Sequence, residues 1–444
     1  MEAPVDQQPW MSHHSTGARV CVVNLGCKVN RVESDCMESA FVDAGATLVP
    51  EADADIVVVN TCGVTGEAQG KTRKTVRHAA AQPRRPLVAV TGCVANLFPD
   101  ELAALAPNVH VYPNKSTLAA EVLAAWQGIA GVAARAENAV LSQPHGAFRS
   151  RRGIKVQDGC DNRCTYCIVW QARGPVRSEP LAAIEQQVRR ALSEGANEIV
   201  LSGINLGRFC APDETGQPVD LAGLLDRICA LGPESVRASS IEPPDLTPVV
   251  VGAMARHGAR VAAHLHLPLQ AGSDTVLARM GRHYITAEFA AAVAMARDVL
   301  PQLSLSTDVI VGFPGETDEE FAQTLAFCRS MAFSKMHVFR YSARPGTPAA
   351  AMDDQVDPRV ARERSEALHA LATELRQADA RSRVGTCENV LVEYVDPDGS
   401  ARGTSASYHD VIVPRGAHEC AKPGLIRCSI ESVDEQGRLV GRSL

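Results

Sequence analysis

The chain has 444 residues, of which 45% are hydrophobic and 21% charged, a globular composition that excludes a disordered or fibrous protein. Its 44 basic and 51 acidic residues give a formal net charge of −7, which excludes a globally basic nucleic-acid binder but not a local basic patch. The 14 cysteines are too many to be incidental and too widely spread for a small disulfide scaffold.

The first 18 residues are predicted to be a disordered tail. They have no apolar core of the signal-peptide type, and no uninterrupted apolar run of about 18 residues occurs in the chain. We therefore expect a cytoplasmic protein without a membrane segment. Disulfides are rare in that compartment, so clustered cysteines there more often bind metal or carry out redox chemistry.

From residue 19, short β-rich runs alternate with helical stretches, which is typical of parallel sheets with crossover helices. Four strands are predicted at 19–24, 55–60, 87–91 and 109–112. Helices are predicted between and after them, at about 30–44, 69–80, 100–105 and 117–127. Residues 19–128 therefore form a doubly wound parallel-sheet domain in this interpretation, and residues 129–150 form a linker.

The alternation resumes after the linker and predicts an α/β core over residues 151–383. Six apolar runs, at 153–156, 198–202, 236–239, 261–267, 303–311 and 335–339, indicate a (βα)6 partial barrel. A long amphipathic helix follows over 358–383. Residues 384–444 change to short strands at 389–395, 408–413, 425–430 and 439–442, which predict a small antiparallel β-barrel.

Three cysteines lie within eight residues, in the loop after the first core strand. Cys160, Cys164 and Cys167 form a Cys-x3-Cys-x2-Cys run in the segment GCDNRCTYC. Three thiolates can hold three irons of a 4Fe–4S cluster and leave the fourth iron open to a substrate. The alternative is a zinc knuckle, which needs a fourth ligand at regular spacing, and none follows nearby.

A second set of three cysteines is dispersed along the first domain. Cys27, Cys62 and Cys93 are 35 and 31 residues apart, but each follows the carboxyl end of a predicted parallel strand. Loops at that edge of a sheet converge in space. The topology therefore predicts a second three-cysteine site, and the alternative is three unrelated buried thiols.

The remaining eight cysteines show no shared spacing, and we expect them to be small buried apolar side chains. They are Cys21, Cys36, Cys210, Cys229, Cys328, Cys387, Cys420 and Cys428. Four polar or glycine-rich segments also follow predicted core strands, where barrels carry their functional groups. They are residues 202–205, 239–242, 266–273 and 308–316.

These motifs together resemble a known family. GCDNRCTYC resembles the cluster loop of radical S-adenosylmethionine enzymes. With the dispersed cysteines and the segments HLPLQAGSD and DVIVGFPGET, the chain resembles the methylthiotransferases of that superfamily over roughly residues 19–444. LGCKVN around Cys27 and ARGPVRS after Cys167 resemble the branch that acts on threonylcarbamoyladenosine in tRNA. The isopentenyladenosine branch usually reads LGCQMN, and the ribosomal-protein branch usually reads LGCPKN.

The resemblance implies three domains: a methylthiotransferase domain (19–128), a radical S-adenosylmethionine core (151–383) and an RNA-binding β-barrel of the TRAM type (384–444). It also implies that Cys160, Cys164 and Cys167 hold a 4Fe–4S cluster. The open iron of that cluster would bind S-adenosylmethionine, whose one-electron cleavage gives a 5′-deoxyadenosyl radical that removes the adenine C2 hydrogen. Cys27, Cys62 and Cys93 would hold an auxiliary 4Fe–4S cluster that carries or donates sulfur, and a second S-adenosylmethionine would supply the methyl group.

Further cofactor contacts and partners are implied in the same way. Tyr166, between two of the cluster cysteines, matches the position where the family places an aromatic beside the adenine of S-adenosylmethionine. Strand-end positions that match the family's cofactor-binding residues are Asn205, Glu242, Gln270, Gly312 and Gly315. Tyr166 is as readily interpreted as a core tyrosine. The expected partners are a tRNA anticodon stem-loop and an external one-electron donor, the sulfur source is unknown, and we expect a monomer.

Local charge favours RNA binding in spite of the net charge. Residues 66–86 hold six basic residues against one acidic, and residues 149–177 hold seven against two. Such patches can contact phosphate, and the alternative is a solvated surface. The candidate RNA-binding residues are Lys71, Arg73, Lys74, Arg77, Arg151, Arg152, Arg173 and Arg177. The last two follow the cluster loop and are also candidates for the cofactor carboxylate.

Two features depart from the family pattern. Residues 384–444 hold six basic and nine acidic residues, which is unfavourable for phosphate binding, and Trp170-Gln171 replaces a common Pro-Tyr. Two other functions stay open on the sequence: a methylthiotransferase acting on isopentenyladenosine or on a ribosomal protein, and a non-catalytic iron–sulfur RNA-binding or redox-sensing protein.

Overall fold

The computed structural model describes residues 17–63, 66–130, 150–417 and 423–444. Most of the predicted tail and linker lie outside these residues, as do Arg149, Cys420 and Lys422. The described chain divides into two units, one containing residues 17–63 and 67–130 and the other containing residues 150–417 and 423–444.

The first unit is a five-stranded parallel sheet with helices packed on both faces. The strand order is β2-β1-β3-β4-β5, with β1 Arg19–Asn24, β2 Thr47–Leu48, β3 Ile56–Thr61, β4 Leu87–Gly92 and β5 Val109–Val111. The helices are α1 Lys28–Asp43, α2 Gly66–Ala80, α3 Cys93–Leu97, α4 Pro99–Ala103 and α5 Leu118–Ala130. Successive residues of β3 alternate between two apolar clusters, one on each face, which confirms the doubly wound prediction.

Two elements of the first unit differ from the sequence-based expectation. Strand β2 is only two residues long, too short to show a period, and it pairs with β1 after the chain turns at Gly45 (φ +83°). The helix predicted near 100–105 is a pair of short helices that starts earlier, at Cys93. Pro99 begins the second helix, since proline has no N–H to continue the first.

The core of the second unit contains six parallel strands in sequential order, which confirms the partial barrel. They are β6 Arg151–Lys155, β9 Glu198–Ser202, β12 Ser235–Ala238, β13 His264–His266, β14 Ser304–Val311 and β15 Lys335–Arg340. Single bridges, such as Ser240–His266, join the two three-stranded halves. The sequence did not indicate two short antiparallel pairs: β7 Gln157–Asp158 with β8 Arg177–Ser178, and β10 Cys210–Pro212 with β11 Pro218–Asp220.

Helices cover the outer face of this core. They are α6 Val169–Arg173, α7 Leu181–Ser193, α8 Leu221–Ala230, α9 Pro248–Arg256, α10 Asp274–Arg279, α11 Thr286–Val299, α12 Asp318–Met331 and α13 Pro358–Ser382. Among the described residues, no helix is long and apolar enough to cross a bilayer.

The last part of the chain is a closed five-stranded barrel in the order β16-β17-β18-β20-β19. Its strands are β16 Cys387–Val395, β17 Ala401–Ser405, β18 Asp410–Val413, β19 Gly424–Val433 and β20 Leu439–Ser443. The sequence did not predict β17, since ARGTS carries no apolar alternation. The other described pairs are antiparallel as predicted, but β18 and β20 pair in parallel.

The turn between β17 and β18, the 406–409 loop, closes one end of the core barrel. Arg237 of β12 donates to the backbone oxygens of Ser405 (3.1 Å) and Ala406 (2.8 Å), and its guanidinium lies 4.0 Å from the Tyr408 ring centre. The Tyr408 ring also packs 4.6 Å from that of His264, the first residue of β13. Core and C-terminal barrel are therefore joined through a buried arginine.

Replacing Arg237 with alanine is expected to destabilise the second unit by about 3–5 kcal/mol. Arg237 is 1% exposed and also pairs with buried Glu198 at 3.2 Å, so its loss leaves that carboxylate short of one partner and takes the side-chain donor from Ala406 O, while Ser405 O keeps the N–H of Tyr408. We expect calorimetry to show a melting temperature lower by about 5–10 °C. Arg359→Ala, which changes a 75% exposed side chain on α13, is the matched control, and equal shifts for both variants would contradict the prediction.

Candidate functional site

The structure brings Cys27, Cys62 and Cys93 to the same edge of the first unit's sheet. They follow β1, β3 and β4, which are adjacent strands, and Cys62 and Cys93 each come directly after the last strand residue. Cys62 and Cys93 are buried, whereas Cys27 is exposed and precedes the first turn of α1. The three cysteine loops therefore meet at one sheet edge, as the topology predicts.

A network of buried polar groups holds these loops, and sequence reasoning missed it. Asn30 donates to the backbone oxygen of Thr61 (2.9 Å), and Asn60 donates to the backbone oxygen of Asn30 (2.9 Å). The Thr61 hydroxyl accepts from the N–H of Val94 at 3.1 Å. Gly92 has φ +95°, and a Cβ there would lie 2.4 Å from the Thr61 oxygen, so only glycine fits. The sequence feature that could have indicated this network is an asparagine or threonine at or next to the carboxyl end of β1, β3 and β4.

The second triplet lies in a loop that is fixed at several points by backbone hydrogen bonds. The N–H of Cys160 donates to Gly174 O (3.2 Å), and the N–H of Thr165 donates to Met280 O (2.9 Å). Gly159 has φ +73°, and a Cβ there would lie 1.9 Å from Pro175 O. These contacts fix the backbone of the loop that carries the three thiols.

The three thiols of this loop, Cys160, Cys164 and Cys167, interact electrostatically. Burial raises the pKa of Cys167 to about 12, and the two neighbouring thiols add to this effect. Three thiols from one short loop are the donor set of an open 4Fe–4S cluster, whereas a closed structural zinc site needs a fourth ligand.

A buried arginine contacts this triplet and was not found from the sequence. Arg282 donates to the Cys164 sulfur (3.2 Å) and forms an ion pair with Glu242. The Tyr284 hydroxyl accepts from Arg282 at 3.3 Å and donates to Leu269 O at 2.8 Å. Burial raises the pKa of Glu242, and the Arg282 charge opposes that shift. Arg282 is 118 residues from Cys164, so no local motif could have indicated the contact.

Tyr166 belongs to the same group of side chains. Burial holds its pKa well above the usual value, and it interacts electrostatically with Arg282, Cys164 and Glu242. Two of the predicted cofactor residues, Tyr166 and Glu242, therefore gather at the second triplet together with the unpredicted Arg282. Three thiols, a cation, a carboxylate and an aromatic ring can bind a small zwitterion beside a cluster.

Replacing Arg282 with methionine is expected to lower activity by about 10- to 100-fold, the usual effect of removing a residue that supports a metal ligand. Loss of the positive donor also makes reduction of a cluster at Cys164 harder, so its midpoint potential should become more negative. A redox titration followed by electron paramagnetic resonance measures this shift, and Arg282→Lys should restore part of it. An unchanged potential would contradict the role of Arg282.

The other predicted cofactor residues occupy different surroundings. Asn205 is 2% exposed, and its amide donates to Asp245 (2.9 Å) while its Oδ1 is buried without a hydrogen-bond partner. Gln270 is buried and has φ +69°.

The two predicted glycines lie in the turn after β14. The N–H of Gly312 donates to Glu316 (2.7 Å), and that of Gly315 donates to Asp354 O (2.6 Å). The positive φ angles of Gly312 and Gly315 are a sufficient reason for glycine at both positions, so the role of these residues in cofactor binding stays a prediction.

Three of the four candidate RNA-binding residues in the 149–177 segment have side chains held in ion pairs with little exposure to solvent. Arg151 and Arg152 lie in β6, where Arg151 pairs with Glu198 (2.5 Å) and Arg152 with Glu194. Arg173 is buried against Asp158 at 2.9 Å. Because these three side chains are committed to carboxylates, they are poor phosphate contacts. Arg177 also pairs with Asp158 (2.8 Å) but is 55% exposed.

Helix α2 presents a different arrangement. Three of its basic side chains are exposed, those of Lys71, Lys74 and Arg77. Val76 and Ala79 are buried on the opposite side of the helix. Arg73 forms an ion pair with Glu101. Helix α2 therefore presents Lys71, Lys74 and Arg77 to solvent.

The seven described cysteines outside the triplets do not share one environment. Cys229, Cys328 and Cys428 are buried as expected, and Cys21 and Cys36 are half-buried. Cys210 and Cys387 are exposed, contrary to the expectation of buried apolar side chains.

Family models match both units. The Radical SAM superfamily model matches residues 154–328, and the model described as Uncharacterized protein family UPF0004 matches residues 19–112. Among solved structures, the radical S-adenosylmethionine methyltransferase TsrM from Kitasatospora setae has a similar fold. Its TM-score is 0.53 at 15% identity, covering 75% of this chain and 77% of that one.

Curated relatives cover nearly the whole chain. The threonylcarbamoyladenosine tRNA methylthiotransferase MtaB of Thermotoga maritima is 33% identical over 94% of this chain and 98% of its own. The Bacillus subtilis protein of the same name is 36% identical over 85% and 84%. The ribosomal protein uS12 methylthiotransferase RimO of Desulforudis audaxviator is 33% identical over 87% of both chains. The chain therefore belongs to the radical S-adenosylmethionine methylthiotransferase family.

Proposed function

We propose that this protein converts N6-threonylcarbamoyladenosine at tRNA position 37, next to the anticodon, to its 2-methylthio derivative. The observation that carries this proposal is the similarity to relatives named for that reaction, at 33% and 36% identity over most of the chain. The two separate cysteine triplets support it, because the reaction needs both radical generation and a sulfur-carrying site. Their surroundings fit 4Fe–4S clusters, one held by Cys160, Cys164 and Cys167 and one by Cys27, Cys62 and Cys93.

The clusters supply the electron transfer and the sulfur chemistry when bound, and the chain positions the reactants around them. The Arg282 guanidinium donates a hydrogen bond to the Cys164 sulfur and forms an ion pair with Glu242. Tyr166 offers a half-buried aromatic ring that interacts with the same residues. The buried Asn205 Oδ1 is a hydrogen-bond acceptor available to a ribose hydroxyl or amine of S-adenosylmethionine.

The proposed organisation follows the domains inferred from the sequence: 19–128 as the methylthiotransferase domain, 151–383 as the radical core and 384–444 as a TRAM-like barrel. We propose that the enzyme acts in the cytoplasm as a monomer, receives single electrons from an external donor and recognises the anticodon stem-loop. The acidic C-terminal barrel makes the solvent-facing cations of α2 the better phosphate contacts.

Charge reversal of Lys71 and Lys74 to glutamate should weaken tRNA binding uniformly across tRNA sequences. Both side chains face solvent, and removing one lysine–phosphate contact lowers the slope of log affinity against log salt concentration by about 1. Filter binding at several salt concentrations measures the slope. The control is Arg359→Glu with Arg362→Glu on α13, also exposed. An unchanged slope in the α2 variant would remove this helix from the RNA contact surface.

Nucleoside mass spectrometry of tRNA tests the proposed reaction directly. Cells that lack the protein should lose 2-methylthio-N6-threonylcarbamoyladenosine and accumulate its unmodified precursor. An unchanged level of that nucleoside would refute the substrate assignment. Loss of the isopentenyl-type product, or of methylthiolation on a ribosomal protein, would identify one of the other branches. No change in any of these products would favour a non-catalytic iron–sulfur protein.

A further inference from the structure

One face of strand β14 is polar along most of its length. Ser304, Ser306 and Asp308 alternate with Leu305, Thr307 and Val309, so the two sets point to opposite sides of the strand. Leu305 and Val309 pack in the apolar core beneath the helices. The polar set therefore faces the barrel interior, where Ser304 contacts the 406–409 loop through Ser407 O at 2.8 Å.

Two histidines from the neighbouring strands join Asp308 on this face. His337 of β15 is the register partner of Asp308, and His266 of β13 is the register partner of Ser306. Parallel strands place register partners on the same side of the sheet. One ligand atom from each of His266, Asp308 and His337 lies within 4.8 Å of the other two. Nε2 of His266 is 3.3 Å from Oδ2 of Asp308.

We propose that His266, Asp308 and His337 bind one divalent first-row transition-metal ion, separate from both cysteine triplets. Two imidazoles with one carboxylate suit zinc or ferrous iron better than magnesium, which prefers oxygen ligands. At metal–ligand distances of about 2.0–2.2 Å, neighbouring donor atoms lie about 3–3.5 Å apart, which matches the separation of His266 and Asp308. Three protein ligands leave positions open for water or substrate.

The serine beside the site supplies the support that metal-binding histidines usually have. Nδ1 of His266 lies 2.9 Å from the Ser306 hydroxyl, so this contact fixes the ring and directs Nε2 toward Asp308. Three adjacent rigid strands carry the ligands, so their arrangement does not depend on a loop.

The proposed metal site lies within electrostatic range of Glu242. The charges of Asp245 and Asp308 add to the effect of burial in raising the pKa of Glu242, and Glu242 pairs with Arg282. A bound cation would offset the charge of Asp308 inside the barrel. The site rests only on these side chains and holds whether or not the proposed substrate is correct.

Zinc binding to the full-length, anaerobically reconstituted protein tests the proposal. After dialysis against micromolar zinc, elemental analysis should show one zinc per chain with the iron content unchanged. Zinc K-edge X-ray absorption should show nitrogen and oxygen scatterers at about 2.0–2.2 Å and no sulfur near 2.3 Å. His337→Ala and Asp308→Asn should each lower the affinity for zinc at least 10-fold, and Ser306→Ala should lower it about 10-fold.

The matched control is His369→Ala, which removes an exposed histidine on α13 outside the core. Its zinc content should equal that of the wild type. His337 is the exposed member of the site, so His337→Ala is the variant least prone to unfolding, and circular dichroism checks that it folds. Wild-type zinc content in folded His337→Ala, sulfur scattering, or no bound zinc in the wild type would each overturn the proposal.

Discussion

Replacing Cys164 with alanine is expected to abolish formation of 5′-deoxyadenosine from S-adenosylmethionine. Cys164 is 5% exposed, lies between two other cysteines of the same loop and accepts a hydrogen bond from Arg282. Three thiolates are the minimum for an open 4Fe–4S site, so two cannot hold it in place. Chromatography of anaerobic reactions with dithionite should show product at the background level.

A buried cysteine elsewhere in the same unit provides the control for Cys164. Cys229 is 1% exposed in the apolar core, and burial raises its pKa to about 11. Cys229→Ala removes an equally buried thiol without touching the loop, and we expect nearly full cleavage activity. Wild-type 5′-deoxyadenosine formation by Cys164→Ala would show that the radical site lies elsewhere.

Replacing Cys62 with alanine is expected to leave cleavage of S-adenosylmethionine intact while eliminating the methylthiolated product. Cys62 belongs to the first unit, where its loop has its own hydrogen-bond network through Asn30 and Thr61. Loss of one cluster should lower the iron content from about eight to about four per chain, with sulfide in parallel. Iron analysis and nucleoside mass spectrometry on the same preparation measure both effects.

Cys21 is the matched control for Cys62. It lies in β1 of the same sheet, and burial raises its pKa to about 11, but its side chain is not at the strand's carboxyl end. Cys21→Ala should keep both the iron content and the product. If Cys62→Ala still methylthiolates tRNA, or keeps about eight irons, the assignment of the second cluster to this residue is wrong.

The sequence predicted the parts of the fold that depend on local periodicity. The runs of β3 and β4 were found because they are nearly continuous and apolar, and the six core strands were found because strand-like runs alternate with helical stretches. Convergence of Cys27, Cys62 and Cys93 followed from topology, since the carboxyl ends of adjacent parallel strands share an edge. Short elements such as β2 and β17 were missed, because two to five mostly polar residues show no period.

The contacts that tune the site could not be predicted in the same way. Arg282 reaches Cys164 across 118 residues, and His266, Asp308 and His337 meet only because three strands are in register. Counting charges along the sequence also failed for Arg152 and Arg173. Arg152 pairs with Glu194, which lies outside the counted segment, and Arg173 pairs with Asp158, which lies within it. Both pairings are visible only after folding.

The 406–409 loop has a consequence for synthesis on the ribosome. The core strands emerge first, but the carbonyls that accept from Arg237 belong to Ser405 and Ala406, which are translated about 170 residues later. Until the 406–409 loop is made, the guanidinium of Arg237 and the ring of His264 lack their contacts with it and are open to water. A premature stop codon before residue 405 would therefore leave Arg237 without both of its backbone acceptors.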